Sequence, residues 1–357
     1  MNRFSACKGG KAIMNAIYKE DMETIASNGI IEWEKLNGST VLVTGATGLI
    51  GSNLVNALLY ANETRGYDIT VIALVRDIDK ARARFGDEAQ HGGKLVLACG
   101  DVENLPQFKY SIDYIVHAAS PTSGAFFVQH PVETVKTAVF GTDNMLRLAK
   151  EHRAKGFIYV SSMEVYGQPM KGEKVTEEMI GNISPLSLRS TYPLSKQMSE
   201  NLCVSYAKEY MLPTRIVRLT QTLGPGVADK DKRVFVEFSR CAIEKKNIVL
   251  RTEGKTEKSY LYVADAVSAV LLLLTKGDSG VAYNVANKDT YCSVRQMAEL
   301  VAELGGVSVE YDLTDAEKMG YAPELYMDLD TTKLENLGWR PTRSLKEMYE
   351  RMIACMV

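Results

Sequence analysis

The stretch Thr44-Gly45-Ala46-Thr47-Gly48-Leu49-Ile50-Gly51 decides how the rest of this chain is read. It follows the apolar run Thr40-Val41-Leu42-Val43 and leads into a second apolar run over 54–59. A strand, a glycine turn and a helix in that order make a cradle for a phosphate. Gly45 permits the tight turn, Gly48 lets backbone N–H groups approach the anion, and Gly51 lets helix and strand pack closely. The helix N-terminus adds partial positive charge, and Thr47, Leu49 and Ile50 complete the loop. A glycine-rich turn with no ligand is the plain alternative, so the partners downstream have to decide.

Outward from the loop, strand-like runs at 41–44, 69–75, 94–98, 114–117, 157–161 and 214–219 alternate with helical patterns. In the clearest helix, 132–149, Val132, Val135, Val139, Leu146 and Ala149 recur at helical spacing, opposite Lys136, Asp143, Arg147 and Lys150. This alternation predicts an α/β fold, a doubly wound parallel sheet of the Rossmann kind. After Gly224-Pro225-Gly226 the rhythm loosens into a helix at 233–245, strands at 248–251 and 259–263, helices at 264–275 and 293–304, and helical pieces over 329–352. These excursions predict a smaller C-terminal substrate-binding domain above the carboxyl edge of the sheet. The expected division is an N-terminal helical arm at 1–38, a dinucleotide-binding domain at 39–222 plus about 258–285, and a substrate-binding domain at 223–257 plus 286–357. The arm carries Ile13, Ile17, Met22 and Ile25 in a loose helical pattern and then Ile30, Ile31, Trp33 and Leu36. It is expected to pack on the main body or on a second subunit.

With 357 residues the chain can bury a large core. A net charge of −2 gives no reason to expect a nucleic acid or an anionic membrane as partner. The six cysteines are scattered without paired spacing, and the four histidines lack metal-ligand spacing, so no metal is expected. The longest apolar run, 266–274, is too short to span a bilayer. Reduced cysteines and the lack of a signal-type apolar segment predict a cytoplasmic protein.

Two further motifs carry chemistry. Tyr192 and Lys196 stand four apart on a predicted helix and so share a face. An ammonium beside a phenol favours the phenolate, which makes Tyr192 a candidate acceptor for a substrate hydroxyl proton. A surface Tyr/Lys pair is the plain alternative. Ser161-Ser162-Met163-Glu164 closes the fifth strand-like run, where open α/β sheets bind ligands, and delivers a hydroxyl and a carboxylate there.

The glycine loop, His117-Ala118-Ala119-Ser120, Ser162, the Tyr192/Lys196 pair and Arg218-Leu219-Thr220-Gln221-Thr222-Leu223-Gly224-Pro225, in that order, resemble the extended short-chain dehydrogenase/reductase family. The resemblance runs over roughly 39–349 and is nearest to the nucleotide-sugar epimerases, dehydratases and decarboxylases. It implies that Asp101 and Val102 contact adenine and that Ala118, Ala119 and Ser120 line the nicotinamide pocket. Tyr192 would act as base, Lys196 would hold the nicotinamide ribose, and Ser162 would bind the reacting hydroxyl. The shared first step is oxidation at sugar C4. The family also implies a homodimer built on the helices at 132–149 and 192–210, and a nucleotide-diphosphate sugar as partner.

The reaction that follows C4 oxidation turns on a few positions. Glu164 matches a glutamate of dehydratases and of UDP-glucuronate decarboxylases, while Met163 stands where dTDP-glucose dehydratases place a proton-donating aspartate. The run from His117 through Pro121, Thr122 and Ser123, with Pro131, Thr134, Gly141 and Thr142 after it, looks most like the decarboxylases, as does Arg189-Ser190-Thr191-Tyr192. Lys258 replaces the family's arginine and loses its bidentate fork. Gln221 replaces an asparagine, and Arg233 remains where the family contacts diphosphate. Epimerisation, dehydration and decarboxylation all stay open.

At the end of the second strand Arg76 suits a 2′-phosphate and favours NADP, although Asp77 could serve NAD. Arg76 also suits a net NADPH-dependent carbonyl reductase of the dihydroflavonol-reductase kind. A non-catalytic dinucleotide sensor is the remote alternative, since a sensor has no use for Ser162, Tyr192 and Lys196 together.

Overall fold

The computed structural model describes residues 15–121, 124–228, 231–313 and 324–357. Cys7, Ile13, Thr122 and Ser123 lie outside the described residues. A seven-stranded sheet, parallel throughout, holds β1 (Thr40–Thr44), β2 (Thr70–Val75), β3 (Leu95–Cys99), β4 (Tyr114–His117), β5 (Gly156–Ser162), β6 (Thr214–Leu219) and β7 (Val281–Val285) in the order β7-β6-β5-β4-β1-β2-β3. The central strands are unbroken aliphatic runs because helices cover both faces. The order reverses between β1 and β4, which places the glycine loop at the switch point.

The seventh strand was not expected. Its sequence, Val281-Ala282-Tyr283-Asn284-Val285, carries a polar residue that reads as loop, but Asn284 is fully buried and its amide donates to the carbonyls of Val175 and Asp330. The expected helix at 132–149 is three joined pieces, Pro131–Val135, a π turn at Lys136–Phe140 and Gly141–Glu151. Its predicted apolar stripe holds only in the last piece. Leu146 and Ala149 are buried, whereas Val132 and Val135 are exposed beside Phe140. The tail expected as helical pieces over 329–352 holds the helices Thr332–Glu335 and Leu345–Met356, and the strand Tyr326–Leu329, which was not expected, leads into it.

A second, mixed sheet joins Asn287–Ser293, Glu257–Tyr262, Tyr326–Leu329 and Lys174–Val175, with Gln221–Leu223 alongside Glu257–Tyr262. It stands beyond the carboxyl ends of β5 and β6. The helix Val263–Lys276 is buried along nearly its whole length because the sheet covers one side and the N-terminal helix Ala16–Ala26 packs on another. That accounts for the apolar run at 266–274; no described helix is long and apolar enough to cross a membrane.

The arm is fastened to the body by charge. Asp21, almost wholly buried, accepts from the Tyr262 hydroxyl at 2.6 Å and from Arg351 at 2.7 Å. Glu23 accepts from Tyr60 at 3.1 Å and pairs with Arg65 on the glycine-loop helix, Leu49–Arg65.

Candidate active site

The glycine loop closes tightly. Gly45 has φ +63°, and a Cβ on it would lie 2.7 Å from the Ala118 carbonyl oxygen. A Cβ on Gly51 would lie 2.3 Å from the carbonyl oxygen of Gly45. Both positions therefore require glycine. Gly48 caps the helix Leu49–Arg65 in extended conformation, and Thr47, Leu49 and Ile50 stay partly accessible at the helix start, where backbone N–H groups lack helical partners.

The positions expected to meet adenosine serve the fold itself. Asp101 accepts from the backbone of Glu103 and Asn104, both at 2.8 Å, and so shapes its own loop. Val102 is buried against Gly141, where a Cβ would meet it at 2.6 Å. Arg76 is exposed at the tip of β2. Asp77, the acidic alternative, accepts from Lys80 at 2.9 Å as an N-cap.

Tyr192 and Lys196 lie on the helix Thr191–Tyr210, and both are buried. Phe127 stacks on Tyr192 with centroids 4.3 Å apart and planes 7° from parallel. Lys196 donates to the Val160 carbonyl at 2.8 Å. Burial pulls its ammonium down to about 8, opposed first by the Glu200 carboxylate. The expected lowering of the Tyr192 phenol by Lys196 is not found. Burial first and the Glu164 carboxylate second hold the phenol well above its usual value, with Ser162 and Ser120 pulling it back. The reason is geometric: the ammonium is engaged at Val160 and lies 5.7 Å from the centre of the Tyr192 ring.

Ser162 ends β5 and caps the short turn Met163–Tyr166 by accepting from the Glu164 amide at 3.2 Å. Glu164 keeps solvent contact but is surrounded by protein, and burial raises its carboxyl against the pull of Lys258 and then Lys196. Lys258, on the strand Glu257–Tyr262, is pulled down by burial to about 8, with Glu164 opposing. Neither side chain has an ion pair within 4 Å among the described residues, so a carboxylate and an ammonium feel each other's charge without direct contact.

The remaining expected residues differ in place. Met163 is buried in the small core with Val165, Tyr166 and Met327, and its sulfur accepts from Thr220 at 3.3 Å. Gln221 has a buried side-chain oxygen with no hydrogen-bond partner among the described residues. Arg189 is exposed in the turn Leu188–Ser190 just before the Tyr192 helix. Arg233, expected to be available to a diphosphate, is held by Asp231 at 2.5 to 3.1 Å and stacks on Phe235.

Sequence reading missed Phe127 and a buried network behind the site. Arg218 clamps Glu200 at 2.7 to 3.2 Å and donates to the Tyr166 hydroxyl at 2.8 Å, which donates to Asn284 at 2.6 Å. Glu200 lies one helical turn past Lys196, so an i, i+4 search from Lys196 would have found it. Among the described residues no group of His, Cys, Asp and Glu could hold a metal.

The model of the NAD dependent epimerase/dehydratase family matches residues 41–286. The chain is 32% identical over 308 residues to UDP-glucuronic acid decarboxylase 6 of Arabidopsis thaliana, covering 86% of this chain and 85% of that one. Its fold is similar to that of UDP-glucuronic acid 4-epimerase from Bacillus cereus in complex with UDP-glucuronic acid and NAD (TM-score 0.72, 21% identity, 89% of this chain and 98% of that one). It is also similar to RMD from Pseudomonas aeruginosa complexed with NADPH (TM-score 0.68, 22% identity, 89% and 98%).

Proposed function

We infer the activity from a membership that the family match establishes: the chain belongs to the NAD dependent epimerase/dehydratase family, within the extended short-chain dehydrogenases/reductases. On that premise we propose a nucleotide-sugar enzyme that oxidises the sugar at C4 and then decarboxylates a nucleotide uronate. The likeness to a UDP-glucuronic acid decarboxylase along most of both chains supports this choice of reaction. So does Met163, whose thioether has no proton to give a leaving hydroxyl. The observation that carries the reading is the meeting of Tyr192, Ser162, Glu164 and Lys258 in one cleft beyond β5.

The residues fit a dinucleotide, because the close backbone approaches at Gly45 and Gly51, which a Cβ would block, bring the turn tightly onto the start of the helix Leu49–Arg65, where unpartnered backbone N–H groups can receive a phosphate. The glycine loop would hold the pyrophosphate, Asp101 and Val102 the adenine, Ala118 to Ser120 the nicotinamide side, and Lys196 its ribose. Arg76 favours NADP, supported by the use of Asp77 as a helix cap. When bound, the dinucleotide supplies the acceptor for hydride from sugar C4 and later its return.

Tyr192 takes the C4 hydroxyl proton while Ser162 holds that hydroxyl. The ketone so formed lies β to the uronate carboxylate, so CO₂ departs and leaves its electron pair in an enolate. Lys258 stabilises that negative charge, and Glu164, which keeps solvent contact beside it, relays a proton from water to C5. Arg189 and the buried Gln221 bind the nucleotide diphosphate, and Arg233 joins them only through the guanidinium nitrogen that Asp231 does not engage. The segments 223–257 and 286–357 act as the substrate lobe. The enzyme works in the cytoplasm as a homodimer, a second copy covering Val132, Val135 and Phe140 on one helix and Met198 and Val204 on the other.

A panel of UDP-glucuronate, UDP-glucose and dTDP-glucose, with product masses read, tests this. Loss of CO₂ from the uronate alone supports it; loss of water, or a product of unchanged mass, refutes it. Arg76 also suits a net carbonyl reductase, which would consume NADPH stoichiometrically.

A further inference from the structure

His117 is not used by the chemistry above, yet it is buried at the switch point, where β1 and β4 part. Its contacts fix where its proton sits. Thr142 donates its hydroxyl proton to the Ala138 carbonyl at 2.5 Å, so its oxygen is left to accept from His117 Nε2 at 3.2 Å. His117 Nδ1 then accepts from the Thr44 hydroxyl at 2.8 Å, and Thr44 Oγ1 accepts from the Ala119 amide at 3.1 Å. Burial keeps the ring neutral and pulls it down to about 3, which agrees with this single tautomer.

The chain does not stop at Ala138. That residue lies in the π turn Lys136–Phe140, where the regular helical ladder is interrupted, and such turns recur at functional sites. The Ser199 hydroxyl stands 2.9 Å from the Ala138 carbonyl and 2.9 Å from the Ser195 carbonyl, sharing its proton between them. Ser199 is three residues past Lys196 on the same helix. Tyr159 fills the space between, its ring 5.7 Å from that of His117 and 4.7 Å from the Lys196 nitrogen. An unbroken polar line thus runs from the residue before Gly45 to the helix that carries Tyr192.

We propose that His117, Thr142 and Ser199, joined through the Ala138 carbonyl, are positioning residues that set the spacing between the glycine loop and the Tyr192/Lys196 helix. A loop that shifts to receive a pyrophosphate then carries the helix with it. The inference rests on the reading that this loop holds a dinucleotide which Tyr192 and Lys196 serve.

The test compares full-length wild type with Thr142→Val, Thr142→Ser and Ser199→Ala. Two readouts are used, turnover of UDP-glucuronate and hydrogen exchange of the Thr191–Tyr210 amides with and without dinucleotide. Valine keeps the shape of threonine but removes both hydrogen bonds. Thr142→Val and Ser199→Ala are expected to bind the dinucleotide within about threefold of wild type and to lose roughly tenfold or more in kcat. Thr142→Ser is expected to restore kcat. Dinucleotide slows exchange in the helix of wild type and Thr142→Ser, but only in the loop of the other two. If Thr142→Val lowers the melting temperature while kcat per folded molecule is unchanged, the role is structural and the proposal is overturned. Exchange protection confined to the loop in wild type overturns it as well, even if UDP-glucuronate is turned over. Protection that spreads as expected upholds it even if no nucleotide sugar is turned over, in which case the reading of the reaction fails and the coupling stands.

Discussion

Replacing Lys258 by methionine removes the terminal ammonium while keeping an unbranched apolar stem. In the folded chain this ammonium is lowered from 10.5 to about 8, first by burial, with Glu164 opposing. The unfolded chain keeps its proton up to about pH 10.5, while the folded chain releases it near pH 8. The cost of burying the charge is therefore fully present below pH 8 and is lost as pH rises towards 10.5, so this residue makes stability rise with pH across that window. At about 1.4 kcal/mol per pH unit the cost is roughly 3 kcal/mol at neutral pH. Glu164, left without its neighbouring cation, takes a proton more readily, which trims the gain. Urea denaturation of Lys258→Met and wild type at pH 7 and pH 10 checks the sum. The variant is expected to be about 2–3 kcal/mol more stable at pH 7, with the advantage shrinking below about 1 kcal/mol at pH 10, while turnover falls by roughly a hundredfold. A variant less stable than wild type at pH 7, or a difference equal at both pH values, would refute the reasoning, because the ammonium would then be satisfied without a ligand.

Gly51→Ala is expected to weaken dinucleotide binding by about a hundredfold or more, since its Cβ would meet the Gly45 carbonyl at 2.3 Å; calorimetric titration reads this. Arg76→Ala is expected to shift preference from NADP towards NAD by about tenfold in the ratio of dissociation constants, and no shift would mean the 2′-phosphate is not bound there. Phe140→Glu, on the exposed side of the π turn, is expected to give monomers in sedimentation while leaving the melting temperature nearly unchanged.

The main sheet was legible where strands are unbroken aliphatic runs, as from Val41 to Val43, because burial on both faces leaves little freedom of composition. It was not legible at β7, where Asn284 is polar for the sake of a buried hydrogen-bond network that no local pattern announces. The helix around Lys136 misled for a related reason. Val132 and Val135 have helical spacing, but periodicity does not say which face meets the core. In the site, sequence order pointed to Tyr192, Lys196, Ser162 and Glu164, since motif spacing is a local property. Phe127, and the engagement of Arg233 by Asp231, depend on packing and pairing that only the folded chain reveals. The phenol illustrates the limit best. Spacing put an ammonium beside it, but burial and the Glu164 carboxylate outweigh that neighbour in the folded chain.

The central claim is that one cleft oxidises C4, releases CO₂ and reprotonates C5. Its most direct test is incubation of the full chain with UDP-glucuronate and dinucleotide in deuterium oxide, with the product read by mass spectrometry and proton NMR. A UDP-pentose that has lost the carboxyl group and carries one deuteron at C5, formed by wild type and reduced about a thousandfold by Tyr192→Phe, is the predicted result. A uronate of unchanged skeleton inverted at C4, or a product that has lost water, would contradict the account.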